Sequence, residues 1–146
     1  MKTMMTLRHA ALAVCAFAAL SNTAHAADDT LYRQFGEQAG LTRIVDDLYD
    51  NVLADPRTAP YFENAPIKRI KTKLVEQFCV LLGGPCEYTG RPMRRTHEGQ
   101  NIDRAAFDAL VEDLQAAMDK NGVPFRAQNK LLAKLAPMYR DVQDRE

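Results

Sequence analysis

Leu41-Thr42-Arg43-Ile44-Val45-Asp46-Asp47-Leu48-Tyr49-Asp50-Asn51-Val52-Leu53 places its large apolar side chains at positions 41, 44, 45, 48, 49, 52 and 53. That spacing is the stripe of an amphipathic helix, with charge on the opposite side. No run of the chain alternates as a half-buried strand does. Tyr49 lies in the middle of the stripe, so its ring is expected inside while its hydroxyl needs a partner. A core tyrosine bonded to a backbone carbonyl is the ordinary outcome of such a placement.

Working outward, Asp55-Pro56 stops this helix and begins a tight connection through Tyr61-Phe62. Pro66 opens the next helix, with Ile67, Ile70, Leu74, Phe78 and Leu81 inside, and Gly83-Gly84-Pro85 closes it. Lys68, Arg69, Lys71 and Lys73 crowd its start, where cations oppose the helix dipole and an anion nearby would relieve them. Upstream, residues 29–36 read as a short first helix with Leu31, Tyr32 and Phe35 on one side, broken by Gly36 and Gly40. Downstream, Pro92 opens a short turn that Gly99 ends, and Met93, Thr96 and His97 share one face of it. Asp103 is an N-cap, with Ile102 and Phe107 as a hydrophobic staple. Phe107, Leu110, Val111, Leu114 and Met118 form the inner face of that helix, which Gly122 ends. Pro124 starts the last helix, with Leu131, Leu132, Leu135, Met138, Tyr139 and Val142 inside and a kink expected at Pro137. The fold class is all-α: about four substantial helices packed as two crossed antiparallel pairs, with room for a flat apolar ligand between them.

The 146 residues suit one domain, and the 19 basic and 19 acidic side chains balance, so nothing points to nucleic acid. Residues 1–26 look like a cleaved signal peptide: Lys2 and Arg8, the apolar run Ala10 to Leu20, then Ala24-His25-Ala26. The domain would then span 27–146, periplasmic or secreted, with no membrane attachment. Of the three histidines, His9 and His25 fall in the leader, leaving His97. Cys79 and Cys86 could close a small ring in an oxidising compartment, but the expectation is a buried thiol at Cys79 and a free loop thiol at Cys86. No C-x-x-C-H haem-attachment motif occurs.

From Leu31 to Val142 the chain resembles the group I truncated haemoglobins. The matching residues are Val45-Asp46-Asp47-Leu48-Tyr49, Val52-Leu53-Ala54-Asp55, Tyr61-Phe62, Leu82-Gly83-Gly84-Pro85, Tyr88-Thr89-Gly90, Pro92-Met93, His97-Glu98-Gly99, Gly122-Val123-Pro124 and Ala136-Pro137. Their order and the tyrosine-to-histidine separation make the set specific. Phe35 to Gly40 departs from it, since the family usually has adjacent glycines there.

The resemblance implies a two-over-two helical sandwich around a non-covalent haem b. His97 then matches the proximal iron ligand, and Phe62 the aromatic packed on the porphyrin. Ile70, Phe78, Met93, Ile102, Phe107 and Leu135 would line the slot; Arg69, Lys71 and Tyr88 would meet the propionates. Tyr49 matches the distal tyrosine that donates to bound dioxygen. Leu74 stands where the family often has a glutamine, and Gln77 is nearly a turn further on, which implies fewer donors and faster dioxygen release. Some relatives use a His or Lys at position 73 as a sixth iron ligand, so Lys73 is a candidate for that role. The implied ligands are dioxygen, nitric oxide and carbon monoxide. A redox enzyme at the same iron (nitric oxide dioxygenation or peroxidase-type chemistry) is the alternative; the chain has no flavin or nicotinamide motif, so it would need a separate reductase.

Overall fold

The structure, a computed structural model, describes residues 31–143. The leader reading of residues 1–26 lies outside them. Among the described residues every regular element is helical.

The stripe at 41–53 forms α1, Glu37–Ala54. Leu41, Ile44, Val45 and Val52 are fully enclosed, so its apolar face is the centre of the core. The helix begins four residues before Leu41, and Gly40 lies inside it rather than breaking it. Gly36 provides the turn at φ +75°, and a Cβ on Gly40 would stand 2.0 Å from the Phe35 carbonyl oxygen. Of the helix expected over 29–36, the described residues 31–34 are helical and the chain turns at 35–36. Asp55 caps the end of α1, and a 3-10 turn, Ala59–Phe62, brings Phe62 back against Tyr49.

Pro66 precedes α2, Ile67–Leu81, and α3 is the short turn Met93–His97. Asp103 caps α4, Arg104–Lys120, its Oδ1 accepting from the Ala106 N–H at 2.8 Å as its position implied. The most enclosed line of α4 is Ala106, Ala109, Leu114, Ala117 and Met118. Phe107, Leu110 and Val111, expected inside, are half-buried. Small residues let α1 approach α4 closely, and the larger ones are left at the edge of that contact. The last helix is α5, Phe125–Leu135. Pro137 breaks it as expected into a 3-10 turn, Ala136–Met138, and a final helix α6, Tyr139–Val142.

α1 packs on both α2 and α4, and α5 closes against α4 and α2, giving a two-over-two sandwich. The turn α3 rests mainly on α6. The slot that the resemblance implies would lie between α2 and α3 with the C-terminal segment.

The cysteine expectation is corrected: Cys79 and Cys86 are joined in a disulfide, with Cα atoms 5.9 Å apart. Cys79 is fully enclosed, and Gly83-Gly84-Pro85 turns the chain tightly enough to bring Cys86 back to it.

Candidate functional site

His97 is half-buried, and its Nδ1 lies 2.8 Å from the Met93 carbonyl oxygen. A carbonyl only accepts, so Nδ1 carries the hydrogen and Nε2 keeps its lone pair. That is the tautomer of an imidazole ready to ligate through Nε2. A five-residue helix exposes its own carbonyls, so the bond is local to the turn. Among the described residues no group of three or more His, Cys, Asp or Glu is assembled to hold a bare metal ion. A single imidazole suits a metal whose other ligands arrive with it, as in a porphyrin.

Tyr49 is 4% exposed and stands edge-on to Phe62, ring centroids 5.5 Å apart. Burial pushes its phenol well above the usual tyrosine range, so the O–H stays protonated at any working pH. The hydroxyl makes no hydrogen bond to a described residue, and no described side-chain N or O is both fully enclosed and unpartnered. The oxygen therefore opens onto accessible space, and the core-tyrosine reading with a carbonyl partner does not hold. This is a preset donor with no protein acceptor.

Of the apolar residues expected along the slot, Phe62, Ile70, Leu74, Met93, Ile102 and Phe107 are half-buried. Phe62, Ile70, Leu74 and Leu135 pack on the core cluster, while Phe107 stacks with Tyr139 at 5.0 Å. Phe78 differs, being 2% exposed and part of the core itself. Apolar side chains only partly covered by the protein, together with an imidazole and an unpartnered phenol, are the side-chain chemistry that a flat apolar metallocycle needs.

The polar residues expected at the rim are otherwise engaged. Lys71 pairs with Asp46 at 3.0 Å and lies 5.7 Å from the centre of the Tyr49 ring. Tyr88 donates to the Arg91 carbonyl at 2.8 Å. Arg69 is exposed and is left available to an anion. Lys73 is held by Glu76 at 2.7 Å and by the Thr89 hydroxyl. The Lys73 ammonium and then the Thr89 backbone N–H hold the Glu76 carboxyl down to about 2. A sixth-ligand role requires Lys73 to leave both partners. The sequence reading missed this clasp, although the i, i+3 spacing of Lys73 and Glu76 was visible. Gln77, weighed there only as a distal donor, has its Nε2 3.6 Å from both Met93 Sδ and Met138 Sδ. A second miss is Arg94, which reaches Asp141 at 2.8 Å and ties the His97 turn to α6.

The bacterial-like globin family matches residues 30–144. A group 1 truncated hemoglobin of Mycolicibacterium paratuberculosis is 33% identical over 113 residues, covering 77% of this chain and 83% of that protein. Another from Tetrahymena thermophila is 35% identical, over 64% of this chain and 78% of its own. The crystal structure of truncated hemoglobin from Tetrahymena pyriformis, Fe(III) form, superposes with a TM-score of 0.75 at 28% identity, covering 79% of this chain and 98% of that one. The 2/2 hemoglobin of Synechococcus, in a cyanomet state with covalently attached heme, gives 0.73 at 26% identity, over 79% and 98%. The chain belongs to the bacterial-like globins, as a truncated haemoglobin of group 1.

Proposed function

We propose that this globin binds dioxygen and nitric oxide reversibly, with His97 as the residue that would hold the haem iron and Tyr49 as the hydrogen-bond donor. The family binds diatomic gases at haem b, and haem b is its cofactor. The haem iron supplies the electron-rich centre at which a diatomic gas is held. The chain does the rest. His97 offers Nε2 because Met93 O takes the other hydrogen. Tyr49 offers an O–H that burial keeps protonated. Leu74 and Ile70, both apolar, add no second donor and keep water out of the side that Tyr49 serves. Phe62 holds the phenol ring edge-on and limits its rotation.

The observation that carries this reading is the unpartnered hydroxyl of a buried tyrosine. The ring is buried while the oxygen is accessible and no described residue accepts from it, which suits a polar ligand arriving from outside the chain. Dioxygen release followed by stopped flow tests it. Tyr49→Phe should release dioxygen roughly 10- to 100-fold faster, because a hydrogen bond to a charged acceptor contributes roughly 1.5–3 kcal/mol. An unchanged rate would remove Tyr49 from the function. We also propose a periplasmic or secreted location. The leader-like residues 1–26 and the closed Cys79–Cys86 bond both suit an oxidising compartment.

A further inference from the structure

We propose that Met93 and Met138 form a paired oxidation site, and that Gln77 couples its state to His97. Three elements meet there: α2 through Gln77, α3 through Met93, and the 3-10 turn through Met138. The Gln77 amide lies 3.6 Å from both sulfurs and makes no other hydrogen bond to a described residue. Thioethers are weak acceptors. Gln128 shows what a buried glutamine amide ordinarily gets in this fold: a carboxylate oxygen of Asp119 at 2.6 Å and the Val123 carbonyl at 2.9 Å. Gln77 is thus under-satisfied in its present state and aimed at two atoms that oxidation would convert into strong acceptors.

The reaction is two-electron oxidation by a hydroperoxide such as hydrogen peroxide. The O–O bond breaks and one oxygen bonds to sulfur, which gives up two electrons. The other oxygen leaves as water with the peroxide's protons. The sulfoxide oxygen then lies within reach of Gln77 Nε2, and the weak N–H···S contact becomes N–H···O=S. The product is reducible by methionine sulfoxide reductases, so the change is a reversible one. Met93 and Met138 are half-buried and accessible to a small oxidant, whereas Met118, the other methionine among the described residues, is fully enclosed.

Met93 is also the residue whose carbonyl receives His97 Nδ1. A tightened Gln77–Met93 contact pulls on the backbone that orients the imidazole. This coupling rests on His97 being the axial ligand. It adds a control on that ligand from the α2 side of the slot.

The test uses haem-loaded protein treated briefly with hydrogen peroxide while cyanide blocks the ferric iron. Peptide masses are then read, and after cyanide removal and reduction the iron–histidine stretching band is recorded. We expect one added oxygen at Met93 and at Met138 and none at Met118. The band should shift in the wild type, and the shift should vanish in Met93→Leu and in Gln77→Leu. Equal oxidation of Met118, an unmoved band in the oxidised wild type, or a shift that survives in either variant would overturn the proposal. The peptide masses need no haem. A protein that shows no Soret band before treatment therefore sinks the gas-binding reading, while the order of methionine oxidation still decides this one.

Discussion

Tyr49 and His97 are the two residues proposed to serve the haem, and the fold holds them in opposite ways. Tyr49 sits on an 18-residue helix whose apolar face is the core, 4% exposed and braced by Phe62. His97 sits on a five-residue turn, half-buried, fixed by one bond to its own carbonyl and by the exposed Arg94–Asp141 pair. The donor is built into the core, so its position is set before any ligand arrives. The imidazole is carried on a lighter support, which a bound group would be expected to order further. A mutation beside Tyr49 should therefore unfold the protein, whereas one beside His97 should loosen the haem.

That contrast is broken most directly by truncating each support. Leu48→Ala, on the enclosed face of α1 where Leu48 is 2% exposed, should cost about 2–5 kcal/mol in urea unfolding. Arg94→Ala should cost less than about 1 kcal/mol, since both partners are half exposed to solvent. It should nonetheless speed haem transfer to an acceptor globin. Equal losses of stability would erase the distinction between the two sides.

Next in size is the disulfide. Cys79 and Cys86 are seven residues apart, and closing so small a ring stabilises by roughly 2–3 kcal/mol in the chain-entropy picture. Reduction should lower the unfolding free energy by about that much, and the urea midpoint with it, while the Tyr49 side keeps its helix signal. A midpoint indifferent to reductant would show that the buried end at Cys79 needs no tether.

The smallest effect is pH-dependent and belongs to the Lys73–Glu76–Thr89 clasp. Glu76 has a folded value of about 2, below the ordinary 4.5. A depressed carboxyl stabilises the fold fully above its unfolded value and loses that contribution as pH falls towards the folded one. The stability gap between wild type and Glu76→Gln should thus be constant down to about pH 5 and close between about 4.5 and 2. A gap that widens with acid would contradict the clasp.

Much of this was legible beforehand, for identifiable reasons. Long stripes such as Leu41 to Leu53 mark helices because periodicity is a property of one strand of chain. The Asp103 cap and the break at Pro137 are likewise local. His97 and Tyr49 stood out because few residue types can ligate iron or donate into an apolar slot. What the sequence withheld was pairing at a distance. The closed bond from Cys79 to Cys86 needed the path of Gly83-Gly84-Pro85, and Gln77 meeting Met93 and Met138 needed three elements in place. The enclosed alanines of α4 were also hidden, because a face chosen by residue size favours Phe107 over Ala106 and Ala109.

A hemin titration of wild type beside His97→Ala is the most direct measurement. We expect the wild type to saturate at one hemin per chain with a sharp Soret band, and the variant to keep its helical spectrum while losing that band. A wild type that stays colourless, or a variant whose spectrum matches it, would contradict a haem held through the His97 imidazole.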